Sequence, residues 1–217
     1  MNLFQLNLLP GLVHPILLQL RDPQIQKDRL RFKFNLERLG FLLAAELAKT
    51  LPVQKIEVQT VLGKTEIAVP VQPPVLITVL RAGLAFYQGF ANAFDQADSG
   101  FIGAYRVEGE CAEQLEIRMN YAALPDLTDR DLILIDPMLA TGGSLLKVWQ
   151  LIASQASPRS VHIAAAIAAP EGVQALQQHL PEHSYLWVGA LDQHLNEQAY
   201  IVPGLGDAGD LCFGPKL

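Results

Sequence analysis

The stretch Leu132-Ile133-Leu134-Ile135-Asp136-Pro137-Met138-Leu139-Ala140-Thr141-Gly142-Gly143-Ser144-Leu145-Leu146 decides the fold of this 217-residue chain. Its first four residues are an apolar run, half of it β-branched, as in a strand buried on both faces. Pro137 cannot donate to a ladder, so Asp136-Pro137 ends the strand. Residues 140–144 then open a helix whose apolar face is Leu145, Val148, Trp149 and Ile152. Strand, small-residue loop and helix start bring backbone N–H groups together where the helix dipole is positive. Such a corner receives an anion, most often phosphate, unless its glycines serve only the geometry of a βα turn. An acid at the strand end suits hydroxyl groups or a metal, so a sugar phosphate would occupy both ends.

The same grammar continues on both sides. Apolar runs at 75–80, 101–105, 161–168 and 185–191 read as strands, and 82–94, 144–154 and 170–180 as helices. This alternation predicts an α/β fold, a parallel sheet flanked by helices with right-handed crossovers. Ligands of such sheets bind beyond the carboxyl ends of the strands. That places Arg81, Arg106, Asp136 and Asp192 on one rim.

The remaining segments are peripheral. Asp22-Pro23 reads as an N-cap acid followed by proline at the first helical position. It predicts a helix to about Thr50 with Phe32, Leu36, Leu39, Leu43 and Leu47 as its stripe, within a helical arm over residues 1–52. Phe34, Phe41 and Leu42 widen that stripe towards a second subunit. Residues 53–71 predict a hairpin around Gly63-Lys64, and 107–124 an irregular segment with a short β excursion at 115–119. Beyond Asp192 no regular structure is expected. Residues 200–210 pack three glycines and a proline into either a packed tail or a ligand clamp. With no repeat, low-complexity tract or linker, residues 1–217 are expected to form one domain.

Composition narrows the function classes. Half the residues are hydrophobic, and the net charge of -6 gives no basic field for nucleic acid. Two cysteines, Cys111 and Cys212, make neither a metal spacing nor a disulfide framework. Residues 1–20 lack the charged start and unbroken apolar core of a signal peptide, and no long apolar span exists, so a cytoplasmic protein without a membrane partner is expected. The five histidines are scattered, the two tryptophans follow core periodicity, and no Gly-x-Ser-x-Gly elbow occurs.

Three segments together resemble the uracil phosphoribosyltransferase family. They are Val79-Leu80-Arg81-Ala82-Gly83, residues 136–144, and Tyr200-Ile201-Val202-Pro203-Gly204-Leu205-Gly206-Asp207-Ala208-Gly209, in the family's order and approximate spacing. His14-Pro15, 169–172, Asp192-Gln193 and 195–197 add to the match, which covers essentially the whole chain. The resemblance implies a type I phosphoribosyltransferase core with a small β hood. It implies the reaction of uracil with 5-phosphoribosyl diphosphate (PRPP) to give UMP and pyrophosphate, in pyrimidine salvage. It also implies Mg²⁺, held mainly through PRPP and water, and a homodimer or higher homo-oligomer.

By the same resemblance, the PRPP site comprises Arg81, Arg106, Asp136, Pro137, Met138, Leu139, Ala140, Thr141, Gly142, Gly143, Ser144 and Asp207. Residues 141–144 cradle the 5′-phosphate, Asp136 holds the ribose hydroxyls, and Arg81 and Arg106 clamp the pyrophosphate. Ile201, Gly206, Asp207 and Ala208 read uracil, with Asp207 also a candidate for the metal's water shell and Asp210 structural. No protein nucleophile is required; Arg81, Arg106 and Asp136 stabilise the transition state.

The chain departs from the family at several positions. Val107-Glu108-Gly109-Glu110-Cys111 replaces the usual run after Arg106, and 120–125 lacks the lysine that usually follows tyrosine. Gln88 stands where an acid is common, and Phe32-Lys33 where Phe-Arg is usual. The altered hood motivates an alternative, a degenerate PRPP- or UMP-binding regulator. Another base in place of uracil is a further alternative.

Overall fold

The computed structural model describes residues 1–107 and 116–215, and only the backbone of 104–107 and 116–119. The hood segment Glu108-Gly109-Glu110-Cys111 and the side chain of Arg106 lie outside the described residues.

The chain opens with strand β1 (Asn2–Gln5), a turn of 3-10 helix (Leu6–Leu8) and helix α1 (Val13–Arg21). Helix α2 (Arg29–Ala48) follows, then strands β2 (Val53–Gln59) and β3 (Lys64–Pro70). The central run is β4 (Val75–Leu80), α3 (Gly83–Ala93), β5 (Asp98–Val107), β6 (Glu116–Ala123) and β7 (Asp131–Ile135). Next come β8 (Met138–Leu139), α4 (Gly143–Ala153), β9 (Ser160–Ala168), α5 (Pro170–His179) and β10 (Tyr185–Leu191). The C-terminal part holds β11 (His194–Leu195), β12 (Ile201–Val202) and α6 (Ala208–Phe213).

The main sheet runs β1-β10-β9-β7-β4-β5-β6, with β8 beside β9. Every pairing in it is parallel except β5 with β6. Side chains alternate between two apolar layers, as the period of a strand requires. Leu76, Ile133 and Ile135 pack under α1, α2 and α3 with Leu20, Leu36, Leu39, Leu43 and Phe86. Val75, Ile77, Leu132 and Leu134 pack under α4 and α5 with Leu145, Val148, Ile152 and Leu176. The predicted stripe of α2, from Phe32 to Leu47, is fully buried, while Phe34 and Phe41 are exposed.

The N-terminal region differs from the sequence expectation in two places. Residues 2–5 form an edge strand on β10 rather than part of a helical arm. Asp22-Pro23 does not start a helix: Asp22 follows α1, and its Oδ1 accepts from the N–H groups of Gln24 (2.7 Å) and Ile25 (3.2 Å). The N-cap of α2 is Asp28, whose carboxylate accepts from the Arg31 N–H at 3.1 Å.

The β2–β3 hairpin projects with both faces open. Opposite pairs Ile56–Ile67 and Val58–Thr65 share one face with Gln54 and Val69. The other face carries Lys55, Glu57, Lys64 and Glu66, joined diagonally by Lys55–Glu66 (3.3 Å) and Lys64–Glu57 (2.7 Å). At the tip, Val61 and Leu62 are completely or almost completely exposed.

At the amino ends of β7, β9 and β10 a buried polar chain closes the core. Trp187 Nε1 donates to His162 Nδ1 (3.2 Å), and His162 Nε2 meets Ser160 Oγ at 3.0 Å. Ser160 in turn donates to Asp131 Oδ1 (2.6 Å), which Arg159 also binds. With Ser160 donating to the carboxylate, the imidazole donates from Nε2 and its neutral tautomer is fixed. Burial pushes His162 down to about 4, against the opposing pull of the Asp131 charge. Burial also works against the Asp131 carboxylate, but hydrogen bonds from Arg159 and Ser160 and the Arg159 charge outweigh it and lower its pKa.

The folded state therefore binds fewer protons at His162 than the unfolded chain between pH 6.5 and 4. Its contribution is complete above pH 6.5 and is lost as pH falls towards 4, a loss of about 3 kcal/mol. Urea unfolding between pH 7 and 4.5 should show this decline, and His162→Gln should flatten it. A slope unchanged in the variant would assign the acid sensitivity elsewhere.

Candidate functional site

The strand order reverses between β4 and β7. From β4 the chain crosses through α3 to β5 on one side, whereas β7 lies on the other side and continues through α4 to β9. Crossovers on opposite faces open a crevice beyond the carboxyl ends of these two strands. Arg81 follows β4 directly and Asp136 follows β7 directly, so both emerge at that crevice. Thr78 Oγ1 donates to the Ile135 carbonyl (3.1 Å) and ties the two strand ends together.

The loop after Asp136 is stitched to β9. Pro137 O accepts from the N–H groups of Ala166 and Ile167, both at 3.1 Å, and Leu139 O accepts from Ala169 N–H at 2.9 Å. Asp136 Oδ1 accepts from the Met138 N–H at 3.2 Å, which turns the chain sharply after the strand. Gly142 then caps α4 with φ +80°, in the left-handed region that a Cβ disfavours. Thr141 Oγ1 accepts from Gly143 N–H at 3.4 Å. Gly172, in the first turn of α5, lies against this loop; a Cβ there would overlap the Ala140 carbonyl and sit 3.0 Å from the Leu139 side chain. Asp136 and residues 138–145 line a shallow pocket at the start of α4. The first N–H groups of any helix have no acceptor within it. These groups, the Thr141 and Ser144 hydroxyls and the helix dipole make the pocket attractive to a phosphate.

The C-terminal loop is pinned by an ion pair between a part-exposed guanidinium and a buried carboxylate. Arg21, the last residue of α1, binds Asp192 bidentately, Nη2 to Oδ1 at 2.6 Å and Nη1 to Oδ2 at 2.9 Å. Asp192 Oδ2 also accepts from the Gly204 N–H (2.9 Å), and Arg21 Nη1 donates to the Gly204 carbonyl (3.1 Å). The Asp192 side chain is only 4% exposed. Asn196 Oδ1 accepts from the Gln198 and Tyr200 N–H groups and closes the turn between β11 and β12. The tail is thus more regular than its glycines and proline imply, since these contacts and α6 order it. Ile201 and Ala208 are buried and Gly206 and Asp207 exposed. Asp207 Oδ1 caps α6 by accepting from the Asp210 N–H at 2.9 Å.

Of the expected site residues, Asp136 and 138–144 line one pocket, while Gly206 and Asp207 are exposed on the segment that Asp192 anchors, with Ile201 and Ala208 buried within that segment. Arg81 lies at the same segment, where its Nη2 donates to Asp210 Oδ1 at 3.1 Å. For Arg106 the structure gives the backbone alone, on β5 next to β4. Sequence reasoning placed Asp192 on the rim but missed Arg21. The available signal was that Arg21 is the first basic residue after a long apolar stretch. Among the described residues, no three His, Cys, Asp or Glu side chains converge as metal ligands. No helix among them is long and apolar enough to cross a membrane.

A family model described as uracil phosphoribosyltransferase matches residues 11–215. A uracil phosphoribosyltransferase of Porphyromonas gingivalis is 41% identical over 207 residues, 95% of each chain. One from Pyrococcus furiosus is 38% identical over 92% of this chain and 84% of its own, and one from Lactococcus lactis 37% over all of both chains. Among solved structures, an Aquifex aeolicus protein has a TM-score of 0.86 at 32% identity, covering 98% of each chain. A hypoxanthine phosphoribosyltransferase of Staphylococcus aureus has a TM-score of 0.51 at 16% identity over 74% of each chain, a likeness of fold alone.

Proposed function

Because this chain belongs to the uracil phosphoribosyltransferase family and has the type I phosphoribosyltransferase α/β core, we propose that it joins uracil to PRPP. The products are UMP and pyrophosphate, and the reaction serves pyrimidine salvage. What supports the assignment of roles is the pocket of Asp136 and residues 138–145 beyond β7, with Arg81 at the end of β4 joined to Asp210 in the C-terminal segment.

Residues 141–144 hold the 5′-phosphate through N–H groups and hydroxyls, within the wall formed by 137–140. Asp136 accepts from the ribose hydroxyls. Arg81 and Arg106 bind the diphosphate; planar guanidinium groups suit its oxygens bidentately. Ile201, Gly206, Asp207 and Ala208 read uracil's donor between two acceptors. The bond from ribose carbon 1 to the diphosphate breaks and its electron pair leaves with pyrophosphate. Uracil N1 forms the new bond and gives up its proton. No nucleophile of the chain takes part; the protein holds the reacting atoms in line and stabilises separating charge.

Mg²⁺ would come to the site mainly with the diphosphate and water, hard oxygen ligands that suit it, and Asp207 would be the carboxylate of this chain towards that water shell. Such an ion supplies neutralisation of the leaving group's charge.

Incubation with PRPP, Mg²⁺ and each of uracil, cytosine, hypoxanthine and orotate tests the base. A clamp that hydrogen-bonds one pattern rejects another by roughly 10⁴-fold or more. UMP should therefore be the sole nucleotide formed. Comparable product from a second base would overturn the uracil reading. Tight PRPP binding without turnover would favour the regulatory alternative motivated by the altered hood.

The assignment extends to assembly and place. Phe34 and Phe41 are exposed on α2, and the hairpin shows an apolar face and a bare tip of Val61 and Leu62. An isolated two-stranded hairpin is at best marginally stable in water. Both features support a homodimer or higher homo-oligomer in which the hairpin lies on a second copy. Val61→Asp with Leu62→Asp should shift sedimentation towards a smaller species; an unchanged profile would remove the hairpin from the interface. A cytoplasmic location is supported by a cysteine content that provides no disulfide framework.

A further inference from the structure

We propose that Asp210 is a positioning residue that acts through Arg81 and couples the base-reading segment to the diphosphate end of the PRPP site. The inference rests on the transferase reading for the roles of those two ends.

Arg81 leaves β4 and lies against α6. Its Nη2 donates to Asp210 Oδ1 (3.1 Å) and to the Gly214 carbonyl (3.3 Å), so the first turn of this short helix and its C-cap hold the same nitrogen. Asp210 is itself placed by Asp207, whose carboxylate caps α6 by accepting the Asp210 N–H. The approach is close throughout: a Cβ on Gly209 would lie 3.9 Å from both Arg81 Nη2 and Ala82 Cβ. Residues 206–208 therefore lead without interruption into the carboxylate that orients Arg81.

A guanidinium carries five donors in one rigid plane. Holding it by Nη2 orients that plane, while among the described residues Nε and Nη1 make no hydrogen bond and can serve a diphosphate. The same tether passes order in both directions. A base that orders 206–208 fixes α6 and with it Arg81, and a diphosphate that immobilises Arg81 lowers the cost of ordering the base loop. The Arg81 and Asp210 side chains are 39% and 42% exposed. An exposed pair adds little to stability, so its removal is readable in PRPP binding without loss of the fold.

Calorimetric PRPP affinity and the KM for PRPP test the coupling in Asp210→Ala, Arg81→Ala and the double variant. Asp210→Ala should weaken PRPP about tenfold with little change in thermal midpoint, and Asp210→Asn should recover most of the loss. In the Arg81→Ala background, Asp210→Ala should change PRPP affinity by less than about twofold, since residues acting through one another are not additive. Additive losses would overturn the inference, as would PRPP binding unchanged or tightened by Asp210→Ala, which would make Asp210 a bystander or a competitor. If the unaltered protein fails to turn over uracil, the transferase reading fails, while the calorimetric cycle still reports whether Asp210 acts through Arg81.

Discussion

Asp192→Ala should lower the thermal midpoint by roughly 6–12 °C and raise the KM for uracil at least tenfold. The carboxylate is almost fully buried and receives three hydrogen bonds, two from Arg21 and one from Gly204. Removing it leaves the guanidinium without its counter-charge and the Gly204 N–H without an acceptor. Breaking such a pair from one side costs about 3 kcal/mol, the lower end for buried pairs, because the Arg21 side chain is 24% exposed. For a chain of this size each kcal/mol shifts the midpoint by about 2–4 °C. The kinetic loss should fall on uracil before PRPP, because Gly204 belongs to the clamp and not to the 136–144 surface. Asp192→Asn, which keeps an acceptor for Gly204, should lie between. Wild-type uracil kinetics in the alanine variant would show that the clamp is held by other contacts.

Asp136→Asn should reduce kcat/KM for PRPP by about 10²–10³-fold while leaving the fold intact. The amide oxygen can still accept from the Met138 N–H, the contact that sets the turn after β7. What disappears is the negative charge proposed to hold the ribose hydroxyls. Hydrogen bonds to a charged group contribute about 1.5–3 kcal/mol each, and a carboxylate shared by two hydroxyls makes two of them. In the proposed role the charge would also stabilise the ribose carbon that becomes cation-like as pyrophosphate departs. Unchanged kcat/KM would remove Asp136 from the site, and a loss of helical signal on substitution would reassign it to folding.

The core of the fold was legible because its parallel strands are buried on both faces and carry apolar runs, as at 75–80, 132–135 and 161–168. The strand-loop-helix corner at 132–145 was legible for a local reason: the strand end, the loop and the helix start are contiguous in sequence. Elements governed by distant contacts were not. Among the described strands β1 pairs with β10 alone, and it has no alternation that marks it as a strand. Asp22-Pro23 carries the residue types of a helix start, yet the Asp22 carboxylate caps a turn and Asp28 takes the cap of α2. Arg21 and Asp192 lie 171 residues apart, so no spacing rule joins them, although together they anchor the C-terminal loop at Gly204. For Arg81 the sequence reading placed it at the correct strand end but gave no hint of its tether to α6.

Uracil-dependent release of pyrophosphate from PRPP in the presence of Mg²⁺ tests the central claim most directly. Release should match UMP formation one for one, at ordinary enzyme rates of about 1–10³ s⁻¹, and stop when uracil is omitted. Pyrophosphate released at the same rate without uracil, or none released at saturating uracil and PRPP, would contradict the assignment of this crevice as a uracil phosphoribosyltransferase site.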